Sequence, residues 1–381
     1  MRILHITETS VFNFDGISTY INQLVACSHQ NGDDVLVLST RPYSIHVRRS
    51  EINNHEIITF PSIKMPGRPK CVIIFPKNFK KVIKTYQPDI VWIHTIGTLG
   101  MKAAKFCHGK YKTIYTKHCF DGLMWNTYLK IPKIIHGPLN YLANFCENTI
   151  LKNVDTAIYH LSEKTKIVKN KYFDKFIFIA PPLPVKFFAP IATKNSECNK
   201  LTFGFCGRCD PDKGLDEAFA GLRLFHEKYP DIELEFILIG DGPEVPRLLQ
   251  ENKFLKITVT GYVDDVIPYY DKLDGYILTS KHEMIALSSL EALARGLEVF
   301  SLPLGYLKER AGNIPGFHMF NHYSELTDLI FKTLVQNKSG SMHADSSRPL
   351  NNILISYSEL YRKISYPTFE VLAKKEVIEL V

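Results

Sequence analysis

Two basic residues, Arg208 and Lys213, surround the start of a helical pattern that follows the strand-like run LTFGFCG. A helix N-terminus presents unpaired backbone N–H groups, and an arginine adds paired hydrogen bonds to an oxyanion. This combination is suited to holding a diphosphate. A surface turn with two solvated cations would have the same sequence, so both interpretations stay open on this segment alone. A turn and a helix cap are the simplest explanation for the acidic residues between them, Asp210 and Asp212.

Two glutamates, Glu283 and Glu291, follow the strand-like run DGYILTS at a spacing of eight residues. The spacing predicts that Glu283 lies in a loop and that Glu291 lies about one turn into a helix that begins near Leu287. The backbone N–H groups between them could face an anion. One carboxylate is suited to sugar hydroxyls and the other to a ribose, as acidic residues are in dinucleotide-binding folds. A pair of solvated glutamates is the alternative.

Two further candidates follow strand-like runs in the first half of the chain. Gly16 precedes an amphipathic helical pattern, where a glycine lets the backbone approach a ligand phosphate. His118 ends the run KTIYTKH, where an imidazole could hydrogen-bond a sugar or a phosphate near the reacting bond. An ordinary tight turn at Gly16 and a histidine that fills the sheet edge at His118 would explain both residues without a ligand.

Strand-like apolar runs that alternate with amphipathic stretches predict the elements that must position these residues. The runs are RILHIT, DVLVLS, EIITF, DIVWIHT, KTIYTKH, DTAIYHL and FIFIAPP, then LTFGFCG, LEFILIG, ITVTG, DGYILTS and LEVFSL. They are typical of buried parallel strands in βαβ units, and ligands bind beyond the carboxyl ends of such strands. The pattern restarts after the polar segment APIATKNSECNK. We therefore predict two doubly wound α/β domains, 1–190 and 200–350, followed by a helical segment, 351–381.

Composition agrees with two globular domains, because the chain has 381 residues, of which 45% are hydrophobic and 22% charged. No apolar run approaches the roughly 18 residues that a spanning helix needs, and the start MRILHITETS fits a first buried strand. A cytoplasmic protein is therefore expected. The eight cysteines have no framework spacing. One pair, Cys206 and Cys209, lacks the second pair that a zinc site would need, so reduced thiols and no metal are expected.

Charge is distributed unevenly along the chain. Residues 1–189 contain 25 Lys and Arg against 12 Asp and Glu, a net +13, whereas the remainder contains 21 against 27, a net −6. This excess favours an anionic partner for the first half, such as a membrane surface, a lipid phosphate or an acidic glycan. Lysines in 76–86 and the mixture of aromatic, aliphatic and basic residues in 123–142 favour peripheral membrane contact. A basic surface for solubility and a buried helical hairpin are the alternatives; no nucleic-acid-binding module is evident.

The order and spacing of these segments resemble the family 4 glycosyltransferases. The resemblance is carried by GRCDPDKG, LIGDGP, VTGYV and the two spaced glutamates followed by EALARG, and it is strongest across residues 201–296. It implies the GT-B fold, in which two Rossmann-like domains face each other across a cleft, with 351–381 crossing back to the first domain. It also implies a retaining enzyme that needs no metal or other cofactor, because protein cations neutralise the diphosphate.

The resemblance assigns a role to each matching residue. Arg208 and Lys213 would hold the diphosphate of a UDP- or GDP-linked sugar, and Glu291 would bind the ribose. Glu283 and His118 would contact the transferred sugar, and Gly16 would face the diphosphate. The backbone that lines the sugar and the phosphate would be that of Met284, Ile285, Ala286 and Leu287.

The implied reaction is the transfer of a hexose from a nucleotide-diphosphate sugar to a surface-polysaccharide or lipid-linked glycan acceptor. One departure affects the donor. Family members commonly have Glu-Gly-Phe-Gly where this chain has Glu283-Met284-Ile285-Ala286, so side chains replace glycines against the sugar. The departure keeps open a non-catalytic role, as a glycan-binding protein or a partner of an active transferase. A sugar-nucleotide epimerase is a further alternative.

Overall fold

The computed structural model describes two compact units, which divide between residues 182 and 183. The described residues are 1–12, 16–42, 48–52, 55–65, 68–74, 78–118, 134, 136–160, 171–178, 181, 183–189, 199–281, 283, 286–304 and 314–336. The predicted helical segment 351–381, the site candidates Met284 and Ile285, and most of 123–142 lie outside them. Within them, no helix combines the length and the apolar character that crossing a membrane requires.

The described part of the first unit is a nine-stranded sheet with helices between its parallel strands. Its strands are β1 (Arg2–Ile6), β2 (Asp34–Pro42), β3 (Arg48–Ile52), β4 (His55–Met65), β5 (Arg68–Ile74), β6 (Ile90–Ile93), β7 (Lys112–Thr116), β8 (Thr156–Tyr159) and β9 (Phe176–Phe178). The helices are α1 (Gly16–Gln30), α2 (Phe79–Tyr86), α3 (Thr98–Cys107) and α4 (His136–Asn153). The strand order is β3-β4-β2-β1-β6-β7-β8-β9, with β5 paired to β4. The parallel strands from β4 onward have the doubly wound Rossmann order.

All seven runs predicted for the first half are strands, and they bury apolar side chains such as Ile3, Val91 and Trp92 completely. Burial of each large apolar side chain contributes roughly 1.5–3 kcal/mol. The sequence did not predict β3 and β5, whose sequences RRSEI and RPKCVII contain several charges. Both pair antiparallel with β4, outside the parallel core, where a strand need not be apolar.

The described part of the second unit is a six-stranded parallel sheet. Its strands are β10 (Lys200–Cys206), β11 (Glu233–Ile239), β12 (Lys256–Val259), β13 (Gly275–Leu278), β14 (Glu298–Ser301) and β15 (Phe317–Met319). The helices are α5 (Leu215–Lys228), α6 (Val245–Glu251), α7 (Ile267–Tyr270), α8 (Leu287–Ala294) and α9 (Tyr323–Ile330), which a π-helical turn, Phe331–Gln336, continues. The order β12-β11-β10-β13-β14-β15 is again doubly wound. Only β15, three residues long, was not predicted.

The second unit begins at Leu183, before the predicted linker at 190–200. The buried guanidinium of Arg295 explains this boundary. It donates to the carbonyl oxygen of Ala189 over 2.7 Å and contacts that of Phe187 at 3.4 Å, while Asp271 Oδ1 accepts from its Nε over 2.8 Å. Because a buried arginine needs such partners, residues 183–189 are anchored on the second unit.

Candidate functional site

The loop after β10 holds Arg208 in place through backbone bonds to the loop after β11. The N–H of Cys209 donates to the carbonyl oxygen of Asp241 over 2.9 Å, and its own carbonyl accepts from the N–H of Glu244 over 3.2 Å. The two loops approach so closely that a Cβ on Gly242 would lie 2.3 Å from the Cys209 carbonyl oxygen. This contact gives the LIGDGP motif a structural purpose, because it fixes the loop that carries Arg208.

The guanidinium of Arg208 forms an ion pair with Asp210. Asp210 precedes a short 3₁₀ turn, Pro211–Lys213, but its side chain makes no capping hydrogen bond. The predicted helix cap is therefore wrong for Asp210, whose carboxylate is taken by the nearby arginine. The predicted turn is present, closed by the Lys213 N–H and the Asp210 carbonyl oxygen at 2.9 Å.

The turn also brings Lys213 against Glu283, which lies 70 residues further along the chain. Lys213 Nζ donates to Glu283 Oε1 over 2.6 Å, and the Ser280 hydroxyl donates to the same oxygen over 3.0 Å. The side chains of Lys213 and Glu283 are 17% and 22% exposed, so the pair is half-buried and open to a ligand. Salt screens the attraction between half-buried charges less than the attraction between surface charges. The ion pair therefore holds both side chains at the carboxyl edge of the sheet.

A close backbone approach sets the position of this turn. Gly214 has a φ of +61°, and a Cβ there would lie 2.3 Å from the carbonyl oxygen of Thr279, directly after β13. The Thr279 hydroxyl bonds the Lys213 carbonyl oxygen at 3.3 Å, and the Lys281 N–H bonds the Asp212 carbonyl oxygen at 2.8 Å. Only glycine fits both the left-handed conformation and the available space at this position.

Glu291 lies in α8, as predicted, and is 5% exposed. The hydroxyl of Tyr270 donates to its Oε2 over 3.0 Å. A second buried tyrosine, Tyr276, donates to the Ser288 hydroxyl over 2.7 Å and accepts from the Cys206 N–H over 3.2 Å. Burial raises the pKa of both tyrosines well above the ordinary value, so their hydroxyls stay protonated and can donate. Sequence reasoning missed these tyrosines, since a tyrosine in a buried element is usually only part of the core.

The pair Cys206 and Cys209 consists of thiols. Burial raises the pKa of each to about 12, and nearby carboxylates, Glu291 for Cys206 and Glu244 for Cys209, act in the same direction. Both cysteines are reduced. Over the described ranges, His, Cys, Asp and Glu form no cluster of three or more that could hold a metal ion.

In the first unit, His118 follows β7 and is half-buried. Its Nε2 lies 3.2 Å from Nδ1 of His94, which follows β6. The other nitrogen of His94, Nε2, lies 3.0 Å from Nδ1 of His5 in β1. Burial, with a contribution from His160, lowers the pKa of His118 to about 3, so its imidazole is neutral at physiological pH. Sequence reasoning found His118 but missed His94 and His5.

Gly16 is the first residue of α1 and is exposed. Its φ is not positive, and a Cβ built on it would meet nothing within 4 Å among the described atoms. The described surroundings therefore do not require glycine at this position.

Comparison with known proteins identifies the chain. The protein-family model described as "Glycosyltransferase Family 4" matches residues 14–166. A second family model, described as "Glycosyl transferases group 1", matches residues 200–328. The chain belongs to glycosyltransferase family 4. It is 23% identical to alpha-monoglucosyldiacylglycerol synthase of Acholeplasma laidlawii over 78% of this chain and 79% of the relative. It is also 23% identical to a GDP-mannose-dependent alpha-mannosyltransferase of Corynebacterium glutamicum, over 78% of this chain and 71% of the relative.

Solved structures confirm that this family 4 glycosyltransferase has the GT-B fold. Sucrose-phosphate synthase of Thermosynechococcus elongatus superimposes with a TM-score of 0.69 at 17% identity, over 96% of this chain and 99% of the other. HepE of Anabaena, in complex with UDP and glucose, superimposes with a TM-score of 0.62 at 16% identity, over 98% and 100%. The predicted fold class is confirmed.

This glycosyltransferase departs from the family pattern at Ala286, which precedes α8 with φ 44° and ψ 55°. This left-handed conformation suits glycine, the residue that the family commonly has there, and disfavours a residue with a Cβ. The alanine is 7% exposed, and its carbonyl oxygen accepts from the Ser289 hydroxyl over 2.7 Å. Ala286 therefore adopts a backbone conformation that glycine would adopt with less strain.

A buried carboxylate in the first unit of the glycosyltransferase, Glu8, is a further group that the sequence did not predict. Its Oε1 accepts from the Leu99 N–H over 2.6 Å and from the Thr98 hydroxyl over 3.1 Å, so it caps α3 from the end of β1. The residue at the N-cap position itself is Gly97, which has no side chain to cap with. Burial raises the pKa of Glu8 in spite of these hydrogen bonds.

Proposed function

We propose that the chain is a retaining, metal-independent hexosyltransferase that uses a UDP- or GDP-linked sugar as its donor. The observation that carries the proposal is the arrangement at one sheet edge of the second unit, where Lys213 and Glu283 meet beside the N-terminus of α8. Arg208 follows β10 at the same edge, and Glu291 lies about one turn into α8, which begins there. These are the residues that a diphosphate, a sugar and a ribose require in the family pattern.

The nucleotide sugar is supported by the relatives. One relative is named for its dependence on GDP-mannose, and the Anabaena structure holds UDP and glucose. Glu291 is suited to the ribose because it lies in α8, after the carboxyl end of β13, and the Tyr270 hydroxyl holds its carboxylate in place. Gly16 is proposed to face the diphosphate, since a Cβ there would meet no described atom within 4 Å and a glycine lets the backbone approach a phosphate. His118 is proposed to contact the sugar.

The proposed mechanism uses the charges of the second unit. A diphosphate carries more negative charge than a single carboxylate, so it would draw Lys213 from Glu283 and leave that carboxylate to accept bonds from sugar hydroxyls. Arg208 and Lys213 then stabilise the charge that develops on the leaving diphosphate. The bond from the anomeric carbon to the phosphate oxygen breaks, and the acceptor oxygen bonds to the same face. The acceptor proton passes to a leaving phosphate oxygen.

The acceptor is proposed to be a surface-polysaccharide or lipid-linked glycan, reached at the inner face of a membrane in the cytoplasm. Helix α4 supports this proposal, because it exposes three large apolar side chains: Tyr141 at 77%, Leu142 at 57% and Phe145 at 59%. Lys80, Lys81 and Lys84 on α2 are also exposed. Apolar groups together with lysines suit contact with anionic lipid. The relative from Acholeplasma laidlawii is named as a glucolipid synthase.

A panel of UDP-, GDP-, ADP- and CMP-sugars, tested without added metal, examines the donor proposal. Thermal shift would report binding, and nucleotide release would report slow hydrolysis. We expect one donor both to stabilise the protein and to be cleaved slowly. If no donor and no free nucleotide stabilises the protein, the non-catalytic, glycan-binding role becomes the better explanation. If the protein converts a nucleotide sugar into a different nucleotide sugar in the absence of any acceptor, the product would instead indicate an epimerase.

The membrane proposal is tested separately, by sedimentation with anionic and neutral vesicles. We expect binding to the anionic vesicles that weakens as salt is added. A protein that ignores anionic vesicles and glycosylates only small soluble acceptors would contradict the proposal.

A further inference from the structure

Three histidines form a chain of hydrogen bonds that runs across the centre of the first sheet. His5 lies in β1, and His94 and His118 follow the neighbouring strands β6 and β7. Both imidazole nitrogens of His94 are engaged, Nε2 with His5 at 3.0 Å and Nδ1 with His118 at 3.2 Å. Since β1 and β6 are the strands at which the doubly wound order reverses, the chain lies where such sheets bind ligands.

The chain is rigid as well as bonded. The rings of Trp92 and His94 stack with centroids 5.8 Å apart, and the ring of His5 stacks on Trp92 at 5.6 Å. Tyr20, from α1, places its ring edge-on to His118 at 4.8 Å. His5, Trp92 and Tyr20 are fully buried, so the imidazoles cannot turn without repacking the core.

A neutral imidazole carries one proton, and this limits the chain to two arrangements. In the first, His5 Nδ1–H donates to His94, His94 Nδ1–H donates to His118, and the His118 proton lies on its own Nδ1. In the second, His118 Nε2–H donates to His94 and His94 Nε2–H donates to His5, so His118 Nδ1 carries no proton and is an acceptor. Any mixed arrangement would place two N–H groups or two lone pairs against each other at 3.0–3.2 Å, which is unfavourable in a buried site.

The titratable groups around the chain keep it neutral. Burial lowers the pKa of His94 well below its ordinary value, and the neighbouring His5, His118 and His160 act in the same direction. His118 faces His160 as well, which follows β8, with ring centroids 6.5 Å apart. A cationic His94 would donate to both neighbours, so His5 Nδ1 and His118 Nε2 would both have to accept, a combination that neither neutral arrangement has.

We propose that His94 and His5 are positioning residues, whose hydrogen bonds decide whether His118 Nδ1 donates or accepts. This inference rests on the proposed function, in which His118 contacts the donor sugar. No described residue is a hydrogen-bond partner of His118 Nδ1 in the structure. In each of the two arrangements the polarity at that nitrogen is tied to the protons of His94 and His5, so a sugar hydroxyl there would meet a polarity that the whole chain sets.

The test compares His94→Phe, which keeps an aromatic ring on Trp92 but loses both bonds, with Trp92→Phe. The control variant, Trp92→Phe, replaces the stacked indole with a smaller ring and removes its 2.7 Å hydrogen bond to Thr116, but it leaves all three imidazoles in place. The ring nitrogens of His118 are followed by ¹⁵N NMR on the full chain without donor, with His118→Asn used to assign them. Over about pH 5.5 to 8, we expect the ratio of the two neutral His118 tautomers to change in His94→Phe and to keep its wild-type value in Trp92→Phe.

A kinetic readout follows once a donor is identified. His94→Phe should lower kcat about 5- to 10-fold, the effect of one hydrogen bond, and leave the affinity for the free nucleotide unchanged. If His94→Phe does not fold, His5→Phe removes only the hydrogen bond between His5 and His94 and should shift the tautomers of His118 in the same way. An unchanged His118 tautomer in the folded variants overturns the inference. Since the NMR needs no donor, a failure of the proposed function would be seen separately, as a shifted tautomer in a protein that binds no nucleotide sugar.

Discussion

The two units place different chemistry at the carboxyl edges of sheets with the same strand order. The second unit gathers charged groups, and each cation has a carboxylate partner, Asp210 for Arg208 and Glu283 for Lys213. The first unit gathers imidazoles, those of His5, His94 and His118, which are joined by hydrogen bonds. The same Rossmann-like frame therefore carries ion pairs in the second unit, here called the charged edge, and a row of hydrogen-bonded imidazoles in the first, here called the neutral edge.

The reason for the difference lies in burial. Lys213 and Glu283 are half-buried, so each can keep its charge as long as the other is near. His94 is fully enclosed, and a charge there would have no carboxylate to compensate it among the groups that shift its pKa. A charged edge suits the diphosphate of a nucleotide sugar, and a neutral edge suits the uncharged sugar.

The largest effect is expected from Lys213→Ala, which removes a charge from the second unit. Loss of one group that stabilises a developing oxyanion lowers kcat by about 10²–10³-fold. Lys228→Ala is the matched control, because Lys228 also pairs with an acidic residue, Asp328, but both side chains are exposed, at 53% and 75%. Rates of nucleotide release measured for both variants check the prediction. A similar loss in both would show that the charged edge has no special role.

Smaller losses are expected from replacing the two glutamates of the second unit, one in nucleotide binding and the other in turnover. Glu291→Ala should weaken nucleotide binding about 10- to 100-fold, since hydrogen bonds to a charged group contribute about 1.5–3 kcal/mol. Glu283→Ala should chiefly lower turnover, because its carboxylate is assigned to the sugar. Calorimetric titration with free nucleotide, together with kcat, distinguishes the two. Equal and negligible effects of both changes would contradict the site assignment.

Sequence reasoning found the elements of both units and the individual charged residues, but not their pairing. Every predicted apolar run is a strand, since the alternation of short apolar runs with helical patterns is a local signal. The contact between Lys213 and Glu283 spans 70 residues and depends on how β10 and β13 align, which no local pattern records. The sequence suggested that Asp210 is a helix cap because it directly precedes a helical turn. The structure shows that its carboxylate instead forms an ion pair with Arg208.

The neutral edge was harder to predict than the charged edge. His5 and His94 lie at the ends of strands some ninety residues apart, and each alone fits a histidine of the core. Glu8 caps α3 across the sheet, while the N-cap residue Gly97 gives no sign of a cap in the sequence. Such contacts join neighbouring strands that are distant in the chain, so they follow from strand order and not from spacing.

In the first unit, Gly97→Ala should break the packing around this cap. A Cβ at Gly97 would lie 1.5 Å from Glu8 Oε2, so the carboxylate must move away from the N–H groups of α3. We expect the free energy of unfolding to fall by about 1–3 kcal/mol, the usual effect of overpacking. Urea denaturation measures it. Gly16→Ala is the control, because nothing described lies within 4 Å of its Cβ. Equal stability losses in the two variants would mean that the cap is not the cause.

The smallest effect concerns Ala286, where the charged edge departs from its family. Its left-handed backbone, with φ 44°, favours glycine, so Ala286→Gly should change the free energy of unfolding by no more than about 1 kcal/mol, toward higher stability. Ala292→Gly, inside the helix that Ala286 precedes, should instead destabilise by about 1 kcal/mol or more. Ala292 is buried too, its backbone is helical, and glycine there adds entropy to the unfolded chain. Thermal denaturation of both variants gives the comparison. Both changes remove a buried methyl group, so opposite signs would point to the difference in backbone conformation. If both variants lose the same stability, the left-handed alanine is not strained, and the replacement of the family's glycine would have to be explained by the ligand alone.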